Sequence, residues 1–408
     1  MKILVICQYY FPEPFRIADI CEELVCRGNA VTVVTGVPNY PMGEIYQGYE
    51  HGERAQEIIK GVHVVRCPIH PRKKGALNRL WNYYSYPFQS KRALKQLGND
   101  FDVVFVYQLS PVMMANAGIW YAKKHHIKSV LYCLDLWPAS LNAGGISNGL
   151  IYRWFRRESE KVYSNVDQIL ISSQSFASYF YEEFGRDDTL FLPQYAETTY
   201  SPSECKKTPD EYVDFMFAGN VGTMQSVDTI IKAAALCKDI RNIRWHIVGD
   251  GIDLESCKTL AEKLDVPVIF HGRQPIEQMP HYYSMADAML ITLKDDPVIS
   301  LTLPGKLQSY MAAGKPVIGA INGEAKNVIE QFKCGYCVPA CDYEKLAAVC
   351  RKFVEDRANH NVMGKNARIA YEREYSKDKF IDSLQEDLIN MCAQNKTQTL
   401  DVDDMSTK

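Results

Sequence analysis

Glycine-rich turns in the second half of the chain have the composition of an anion-binding site. The strand predicted over Val213–Ala218 runs into GNVGTMQS, in which Gly219 and Gly222 would let the backbone approach a bound anion. A helix is predicted to follow, and the free N–H groups at its start favour negative charge. The stretch lacks the P-loop lysine and the G-x-G-x-x-G spacing, so neither a kinase nor a dehydrogenase is indicated. A plain glycine turn without a ligand is the alternative.

Two further strand ends in this half carry groups that could reach a ligand. HIVGDG (His246–Gly251) places Gly249 and Asp250 in a tight turn that would expose backbone donors. FHGRQP (Phe270–Pro275) places Arg273 at the end of the next strand, where it could border a nucleobase. The alternatives are a turn that binds nothing and a solvated arginine.

The stretch ISLTLPGKLQSYMAAGKPVIGA (Ile299–Ala320) predicts a helix whose first turn carries a cation. Pro304 and Gly305 are typical of a helix start, and Gly314 is typical of a helix end. Lys306 then lies in the first turn, where a positive charge opposes the helix dipole unless an anion binds. We therefore interpret Lys306 as a phosphate ligand, with a solvated lysine as the alternative.

These turns would be positioned by an alternation of β-branched runs and amphipathic stretches, which predicts parallel sheets with helices on both faces. The predicted strands are Lys2–Gln8, Ala30–Thr35, Val62–Cys67, Val103–Gln108, Ser129–Leu134, Gln168–Ser172, Val213–Ala218, Arg244–Val248, Val268–Gly272, Ala288–Thr292 and Pro316–Ile321. The predicted helices include Ala18–Arg27, Val112–His125, Ser226–Leu236, Leu254–Lys263, Lys306–Ala313, Ala325–Phe332, Tyr343–Glu355, Asn359–Tyr371 and Lys377–Met391.

One segment, Phe191–Pro209, interrupts this alternation with three prolines and many small polar residues, as linkers do. We predict an N-terminal α/β domain over 1–195, to which a helix over 375–394 returns, and a C-terminal α/β domain over 196–374. Residues 395–408 are predicted to be a flexible tail. Ligands of such sheets bind beyond the carboxyl ends of the strands, so the cleft between the two halves is the expected site.

Composition narrows the class of protein. The chain has 408 residues, 47% hydrophobic and 23% charged, as expected for a globular protein of two or three domains. A net charge of −3 argues against a dedicated nucleic-acid binder. The start, MKILVICQYYFPEP, is typical of a first strand rather than a signal peptide, and no apolar run reaches the roughly 20 residues of a membrane helix. Thirteen scattered cysteines, several within apolar runs, fit a reducing, cytoplasmic location.

Two other features remain open to more than one interpretation. Cys334 and Cys337, with Cys341 nearby, resemble half of a zinc site, but no second pair completes four ligands and we expect no metal. HPRKKGALNRLWNYYSYPF (His70–Phe88) mixes cations with aromatic residues. It either contacts a membrane surface or a lipid-linked acceptor, or it is a solvated helix start followed by core aromatics.

Several of these motifs, taken in order, resemble a known family. AGN-x-G after a strand, VGDG, HGR and P-x-K-x-x-x-YMAAGKPV resemble the retaining family-4 glycosyltransferases of the GT-B fold. TGVPNYPMGEIYQGY (Thr35–Tyr49), LDLWPASL (Leu134–Leu141) and YEREYS (Tyr371–Ser376) extend the resemblance over nearly the whole chain. They are similar to the subgroup that transfers amino-deoxy sugars, of the N-acetyl-fucosamine type, in O-antigen and capsule assembly. The resemblance implies two facing Rossmann-like domains and a last helix that crosses back to the first.

The resemblance also implies roles for individual residues. It makes Asp135 and Lys306 the catalytic residues, with Asp135 facing the transferred sugar beside Trp137 and Pro138. It places Gly219, Asn220 and Gly222 along the donor diphosphate with Lys306 beside it, and Arg273 at the base. Together with the turns and the helix start described above, the predicted donor-binding residues are Gly219, Asn220, Gly222, Thr223, Gly249, Asp250, Arg273, Lys294, Pro304, Gly305 and Lys306.

The chain departs from the wider family at four positions. Two glutamates eight positions apart, one facing the sugar and one the ribose, correspond to Leu301 and Ser309. The arginine and lysine that usually follow the first strand of the C-terminal domain correspond to Asn220 and Gln225. Their roles are therefore not carried over, and phosphate charge would have to be met by backbone donors and the remaining cations.

Together these features predict a retaining glycosyltransferase without metal or cofactor. The implied donor is a UDP-activated, N-acetylated amino-deoxy hexose and the implied acceptor is a lipid-linked saccharide, at the inner face of the membrane. Retention would proceed by front-face attack, with the leaving phosphate helping to take the acceptor proton. Two alternatives remain: a nucleotide-sugar epimerase on the same architecture, and a catalytically degraded nucleotide-sugar-binding partner of a polysaccharide assembly complex.

Overall fold

The computed structural model describes residues 1–71, 75–143 and 149–405 of the chain. These residues form two compact units. Unit 1 comprises Met1–Ser172, Phe176–Leu192 and the chain from Ile381, and unit 2 comprises Ser173–Ser175 and Pro193–Phe380. The borders between the units thus fall after Leu192 and Phe380, whereas the sequence predicts them after residues 195 and 374.

Unit 1 is built around an eight-stranded sheet. Its strands are β1 (Lys2–Ile6), β2 (Ala30–Gly36), β3 (Gln56–Ile59), β4 (Val62–Cys67), β5 (Val103–Gln108), β6 (Lys128–Cys133), β7 (Gln168–Ile171) and β8 (Thr189–Phe191). The strand order is β3-β4-β2-β1-β5-β6-β7-β8, parallel except for the edge strand β3. Every residue of β5 is buried, as expected for a parallel strand covered by helices on both faces.

Within the described residues, six helices connect these strands. They are α1 (Ile17–Cys26), α2 (Ala76–Leu94), α3 (Asn116–His125), α4 (Ala139–Ala143), α5 (Gly149–Tyr163) and α6 (Phe176–Phe184). The single helix predicted over Val112–His125 is wrong in part, because Val112–Ala115 forms a 3₁₀ turn before α3 begins.

Unit 2 is built around a six-stranded parallel sheet. Its strands are β9 (Val213–Ala218), β10 (Ile243–Val248), β11 (Val268–Gly272), β12 (Ala288–Thr292), β13 (Val317–Ala320) and β14 (Gly335–Val338). Its helices are α7 (Asp228–Leu236), α8 (Leu254–Lys263), α9 (Met279–Met285), α10 (Pro297–Ser300), α11 (Gly305–Ala312), α12 (Glu324–Phe332), α13 (Tyr343–Glu355) and α14 (Arg357–Ala370). The order β11-β10-β9-β12-β13-β14 reverses direction between β9 and β12, and ligands of such sheets bind at this switch point.

Two apolar clusters cover the faces of this sheet. Alternate residues of β9 point to opposite faces, so Met216 enters one cluster with Tyr310, while Phe215 enters the other with Trp245 and Phe353. Burying a phenylalanine completely contributes roughly 1.5–3 kcal/mol, so these clusters hold the strand ends in place.

The last helix, α15, spans Lys377–Met405 and so continues past Met391, where the sequence predicts its end. From Ile381 it belongs to unit 1, where the Asn29 amide donates to Gln385 Oε1 at 3.3 Å and Arg27 pairs with Asp382. This helix therefore starts in unit 2 and packs on unit 1. None of the helices in the described ranges is both long and apolar enough to span a bilayer.

Candidate active site

Most of the predicted donor residues lie at the carboxyl edge of the unit 2 sheet. Gly219 follows β9 directly with a φ of 145°, a conformation that side chains other than glycine rarely adopt. Its N–H donates to Val248 O at 2.9 Å, which ties the end of β9 to the end of β10. The Asn220 side chain then donates to Gln225 Oε1 at 3.0 Å and closes the turn over Gly222.

The turn after β10 packs against the turn after β9. Gly249 has a φ of 143° and donates to Gly272 O at 2.8 Å. A Cβ atom at Gly249 would overlap the carbonyl group of Gly219, so the two turns approach at backbone distance. Asp250 links the two turns, since its carbonyl accepts from Val221 N at 2.9 Å. Its Oδ1 accepts from Gly251 N at 2.8 Å within its own turn. The predicted glycine turns are therefore brought together.

Lys306 reaches these turns from α11, whose N-cap is Pro304 and whose first residue is Gly305. Lys306 as a whole is half-buried, but its Nζ is shut off from solvent and has no hydrogen-bond partner among the described residues. That nitrogen lies 3.9 Å from the centroid of the Phe217 ring, and 3.1 Å from where a Cβ at Gly219 would be. A cation–π contact replaces only part of the hydration that the ammonium loses. The site thus holds a buried amino group to which no described residue supplies a counter-ion.

This burial lowers the pKa of Lys306 from 10.5 to about 7, because no opposite charge compensates for the lost water. The unfolded chain keeps the ordinary pKa, so between pH 7 and pH 10.5 it binds more protons at this position than the folded chain.

We therefore expect the free energy of unfolding to rise with pH across that window, by at most about 1.4 kcal/mol per pH unit from this group. Urea unfolding at several pH values from neutral to mildly alkaline, for the wild type and Lys306→Met, measures the contribution as a difference in slope. Parallel slopes for the two proteins would mean that the ammonium is hydrated in the folded state.

The segment after Gly222 corrects one prediction. Thr223–Gln225 forms a 3₁₀ turn, and α7 begins at Asp228 instead of at Ser226. Asp228 carries a carboxylate in the first turn of α7 and pairs with Lys232 at 2.6 Å. The start of this helix therefore already holds a negative charge of its own, and backbone groups of the preceding turn are left as the anion donors.

Two predicted cations flank this edge. Arg273 follows β11 and is exposed. Lys294 follows β12, and its backbone N–H donates to Met224 O at 2.9 Å, while its side chain is exposed. Both therefore stand at the ends of strands that neighbour the glycine turns, in the positions that the sequence predicts.

Asp135 belongs to unit 1 and follows β6. Its Oδ2 accepts from the Trp137 indole at 3.0 Å and from Ser140 Oγ at 3.3 Å, while its carbonyl accepts from the Gln108 amide at 3.0 Å. The Trp137 side chain is fully buried, so it fixes the orientation of the carboxylate. The residue predicted to be catalytic is thus a carboxylate held by two hydrogen bonds at the carboxyl edge of the unit 1 sheet.

Solved structures with the same fold cover almost the entire chain. Sucrose-phosphate synthase from Thermosynechococcus elongatus matches with a TM-score of 0.76 at 15% identity, over 96% of this chain and 99% of that one. HepE from Anabaena in complex with UDP matches with a TM-score of 0.71 at 14% identity, over 96% of this chain and all of that one. At this level of identity the likeness shows the fold alone.

Two family models match the sequence one after the other. Residues 15–193 match the Glycosyl transferase 4-like domain, and residues 203–370 match Glycosyl transferases group 1. This chain is a GT-B glycosyltransferase. The two matched regions correspond to the two compact units, since the first match ends at residue 193, next to the unit border after Leu192.

Two relatives of this glycosyltransferase are similar to it at low identity. WcaI from Escherichia coli K12, named for colanic acid biosynthesis, is 24% identical over 418 residues, which cover 94% of this chain and 100% of WcaI. WbjE from Pseudomonas aeruginosa, named as a glycosyltransferase, is 26% identical over 242 residues. That match covers 56% of this chain and 60% of WbjE, less than two thirds of its length.

Two carboxylates that the sequence does not single out stand near the positions of the absent glutamate pair. Ser309 Oγ donates to Glu197 Oε2 at 3.4 Å. Leu301 O accepts from Ser173 Oγ, and the neighbouring Ser175 N–H donates to the buried Glu324 carboxylate at 3.2 Å. Glu197 lies in the predicted linker, far from Ser309 in sequence, so no local signal could have identified it.

The cysteine group near Cys334 and the mixed segment His70–Phe88 also have defined places in this glycosyltransferase. Cys334 is buried in the core of unit 2, and Cys341 is exposed, both as free thiols. In the described part of the chain, no three His, Cys, Asp or Glu side chains are grouped as metal ligands. Of the mixed segment His70–Phe88, Arg72–Lys74 lie outside the described residues, and the remainder from Ala76 forms the start of α2.

Proposed function

We propose that this glycosyltransferase takes its sugar from a nucleotide-sugar donor bound at the carboxyl edge of the unit 2 sheet. The buried Lys306 ammonium carries the proposal, because a cation without a counter-ion is costly unless a ligand supplies one. A diphosphate leaving group gains negative charge as the bond to the sugar breaks, and donors held in place beforehand stabilise that charge. Lys306 and the N–H groups of the turn after Gly219 are such donors.

A UDP-sugar is the donor we propose, and an N-acetylated amino-deoxy hexose is the sugar. HepE, which shares the fold, has been solved with UDP, with UDP and glucose, and with UDP-glucose, which supports UDP. The motifs shared with amino-deoxy sugar transferases support the choice of sugar. Arg273 would border the base, and the Glu197 carboxylate beside Ser309 would accept from donor hydroxyl groups.

A lipid-linked saccharide is the acceptor we propose, in the assembly of a surface polysaccharide such as O-antigen or capsule. The name of WcaI, for colanic acid biosynthesis, and that of TuaH from Bacillus subtilis, for teichuronic acid biosynthesis, support a role in polysaccharide assembly. An enzyme with such an acceptor works at the cytoplasmic face of the membrane, as a peripheral protein.

The proposed reaction retains the configuration at the anomeric carbon. The bond from this carbon to the β-phosphate oxygen breaks, and the acceptor oxygen bonds to the same face of the sugar. The proton of the acceptor hydroxyl passes to the leaving phosphate oxygen, so no protein nucleophile takes part. Lys306 neutralises the developing phosphate charge, and the Asp135 carboxylate, which accepts from the Trp137 indole, is the catalytic residue that we propose in unit 1.

We expect a UDP-sugar to raise the melting temperature of the protein, whereas GDP- and dTDP-sugars leave it nearly unchanged. A ligand present at about 100 times its Kd stabilises the folded state by about 2.7 kcal/mol. Thermal unfolding against a panel of UDP-, GDP- and dTDP-sugars measures this, with Lys306→Met as the variant that should lose the shift.

Other outcomes of the panel would identify other functions. Stabilisation by GDP- or dTDP-sugars alone would refute the choice of UDP. Conversion of a UDP-sugar without any acceptor would indicate the epimerase, and binding without turnover with any acceptor would indicate the degraded binding partner. No stabilisation by any nucleotide-sugar would refute the donor site itself.

A further inference from the structure

An exposed apolar strip runs along two helices of unit 1. Trp81 on α2 is 67% exposed and Trp154 on α5 is 56% exposed, although tryptophan side chains are usually well buried. The strip comprises Leu77, Leu80, Trp81, Phe88, Leu150, Ile151 and Trp154, all classed among the exposed large apolar side chains. An exposed apolar patch of several large side chains marks an interaction site.

The two halves of the strip are joined. The Trp154 indole N–H on α5 donates to Tyr84 OH on α2 at 2.7 Å. Tyr84 lies three residues after Trp81 and four before Phe88, so these three residues share one face of α2. Trp154 of α5 therefore meets the face of α2 that carries Trp81 and Phe88.

A cationic cavity borders this strip. It measures about 470 Å³, and Tyr84 and Phe88 of α2 form part of its wall. Lys91, Lys123 and Lys161 line it, and no carboxylate is among the lining residues that the structure describes. An anionic group that entered the cavity would meet three ammonium groups next to the apolar strip.

The charges around the strip select among possible partners. On α5, Arg153 and Arg157 are exposed beside Trp154 and outnumber the exposed Glu160, while the half-buried Glu158 lies near Tyr84. The whole chain, by contrast, has a net charge of −3. Exposed tryptophans flanked by arginines and lysines are typical of surfaces that lie in the interface of an anionic bilayer. A bilayer supplies apolar chains for the strip and phosphates for the cavity in one partner.

We propose that this face of unit 1 docks on an anionic bilayer, with Trp81 and Trp154 at the interface and a lipid phosphate in the cavity lined by Lys91, Lys123 and Lys161. Docking would bring the enzyme to a lipid-linked acceptor, and only this purpose rests on the proposed function. Docking itself needs neither donor nor acceptor and can be measured without them.

Cosedimentation of the full chain with lipid vesicles tests the apolar strip. We expect binding to phosphatidylcholine vesicles that contain phosphatidylglycerol, and a loss of roughly tenfold or more in the Leu77→Ser/Trp81→Ser double variant. Ile58→Ser/Leu190→Ser is the matched control, because it removes two exposed apolar side chains from edge strands of unit 1 that lie outside the strip. This control variant must bind the anionic vesicles as strongly as the wild type does.

The same assay tests the cavity. Lys91→Ala/Lys161→Ala should weaken binding to the anionic vesicles on the order of 25-fold, because each cation near such a surface contributes about fivefold. Lys206→Ala/Lys365→Ala removes two exposed lysines from unit 2 and should bind like the wild type. Equal binding of the wild type to pure phosphatidylcholine vesicles would overturn the role of the lysines.

Two results would overturn the docking surface as a whole. One is the absence of vesicle binding. The other is self-association of the wild type, seen by sedimentation equilibrium and abolished by Leu77→Ser/Trp81→Ser, which would assign the strip to a second copy of the chain. The thermal shift caused by a UDP-sugar should persist in all four double variants, so failure of docking and failure of the proposed function are distinguishable.

Discussion

Replacing Lys306 with methionine is expected to lower kcat/KM for sugar transfer by about 100-fold or more, while the protein stays folded. Removal of one preorganised donor to a developing negative charge typically costs a factor of about 100 to 1,000. Methionine keeps an unbranched apolar stem against Phe217 but lacks the ammonium. The measurement is the initial rate with a UDP-sugar and acceptor, together with the donor-induced thermal shift.

The same variant should unfold at a higher denaturant concentration near neutral pH in the absence of donor. An uncompensated ammonium is destabilising when buried, and a methionine of similar length carries no such penalty. Lys263→Met, at the exposed last residue of α8, serves as the control: the rate should be unchanged, and stability should fall by about 1 kcal/mol at most, the usual contribution of a cation at a helix end. A Lys306→Met protein with the wild-type rate would show that this lysine does not contact the leaving group.

Replacing Gly249 with alanine is expected to cost about 3 kcal/mol or more in the free energy of unfolding. Two effects add: the φ of 143° is unfavourable for alanine, and the new methyl group would overlap the carbonyl of Gly219. Backbone atoms on both sides leave little room for adjustment, so the turns after β9 and β10 would separate. Donor binding should be lost along with stability.

Gly272→Ala separates these two effects. Gly272 also has a positive φ, of 67°, but a Cβ there meets nothing within 4 Å. We expect a loss of only about 1 kcal/mol, the usual cost of a left-handed alanine. Urea unfolding of both variants provides the comparison, and similar losses in the two would contradict the close approach of the turns at Gly249.

Much of the fold could be read from runs of β-branched and aromatic residues. The predictions for Val62–Cys67, Val103–Gln108 and Val213–Ala218 are confirmed at both ends. Such strands are apolar along their length because helices cover both faces of the sheet, and this leaves a strong local signal. The sequence does not predict the short edge strands β3, β8 and β14, since three or four residues whose pairing depends on a neighbour carry little signal of their own.

The candidate site likewise has residues that the local sequence predicts and residues that depend on distant contacts. The glycines after β9 and β10 were predictable because a φ near 145° strongly favours glycine and so marks the sequence. The start of α7 at Asp228 could not be predicted in this way. The 3₁₀ turn before it depends on distant contacts, such as the hydrogen bond from Thr292 Oγ1 to Gln225 O at 2.6 Å. Glu197 was missed for a related reason, since its contact with Ser309 joins positions 112 residues apart.

Local patterns are enough to predict most strands and helices, the glycine turns and a lysine in the first turn of α11. By contrast, the burial of the Lys306 ammonium over the Phe217 ring, with no hydrogen-bond partner among the described residues, results from tertiary packing. Burial and pairing depend on which distant segments pack around a group. Phe217 and Lys306 lie 89 positions apart in the sequence and are brought together by the packing of α11 against β9, a contact that no local pattern reports.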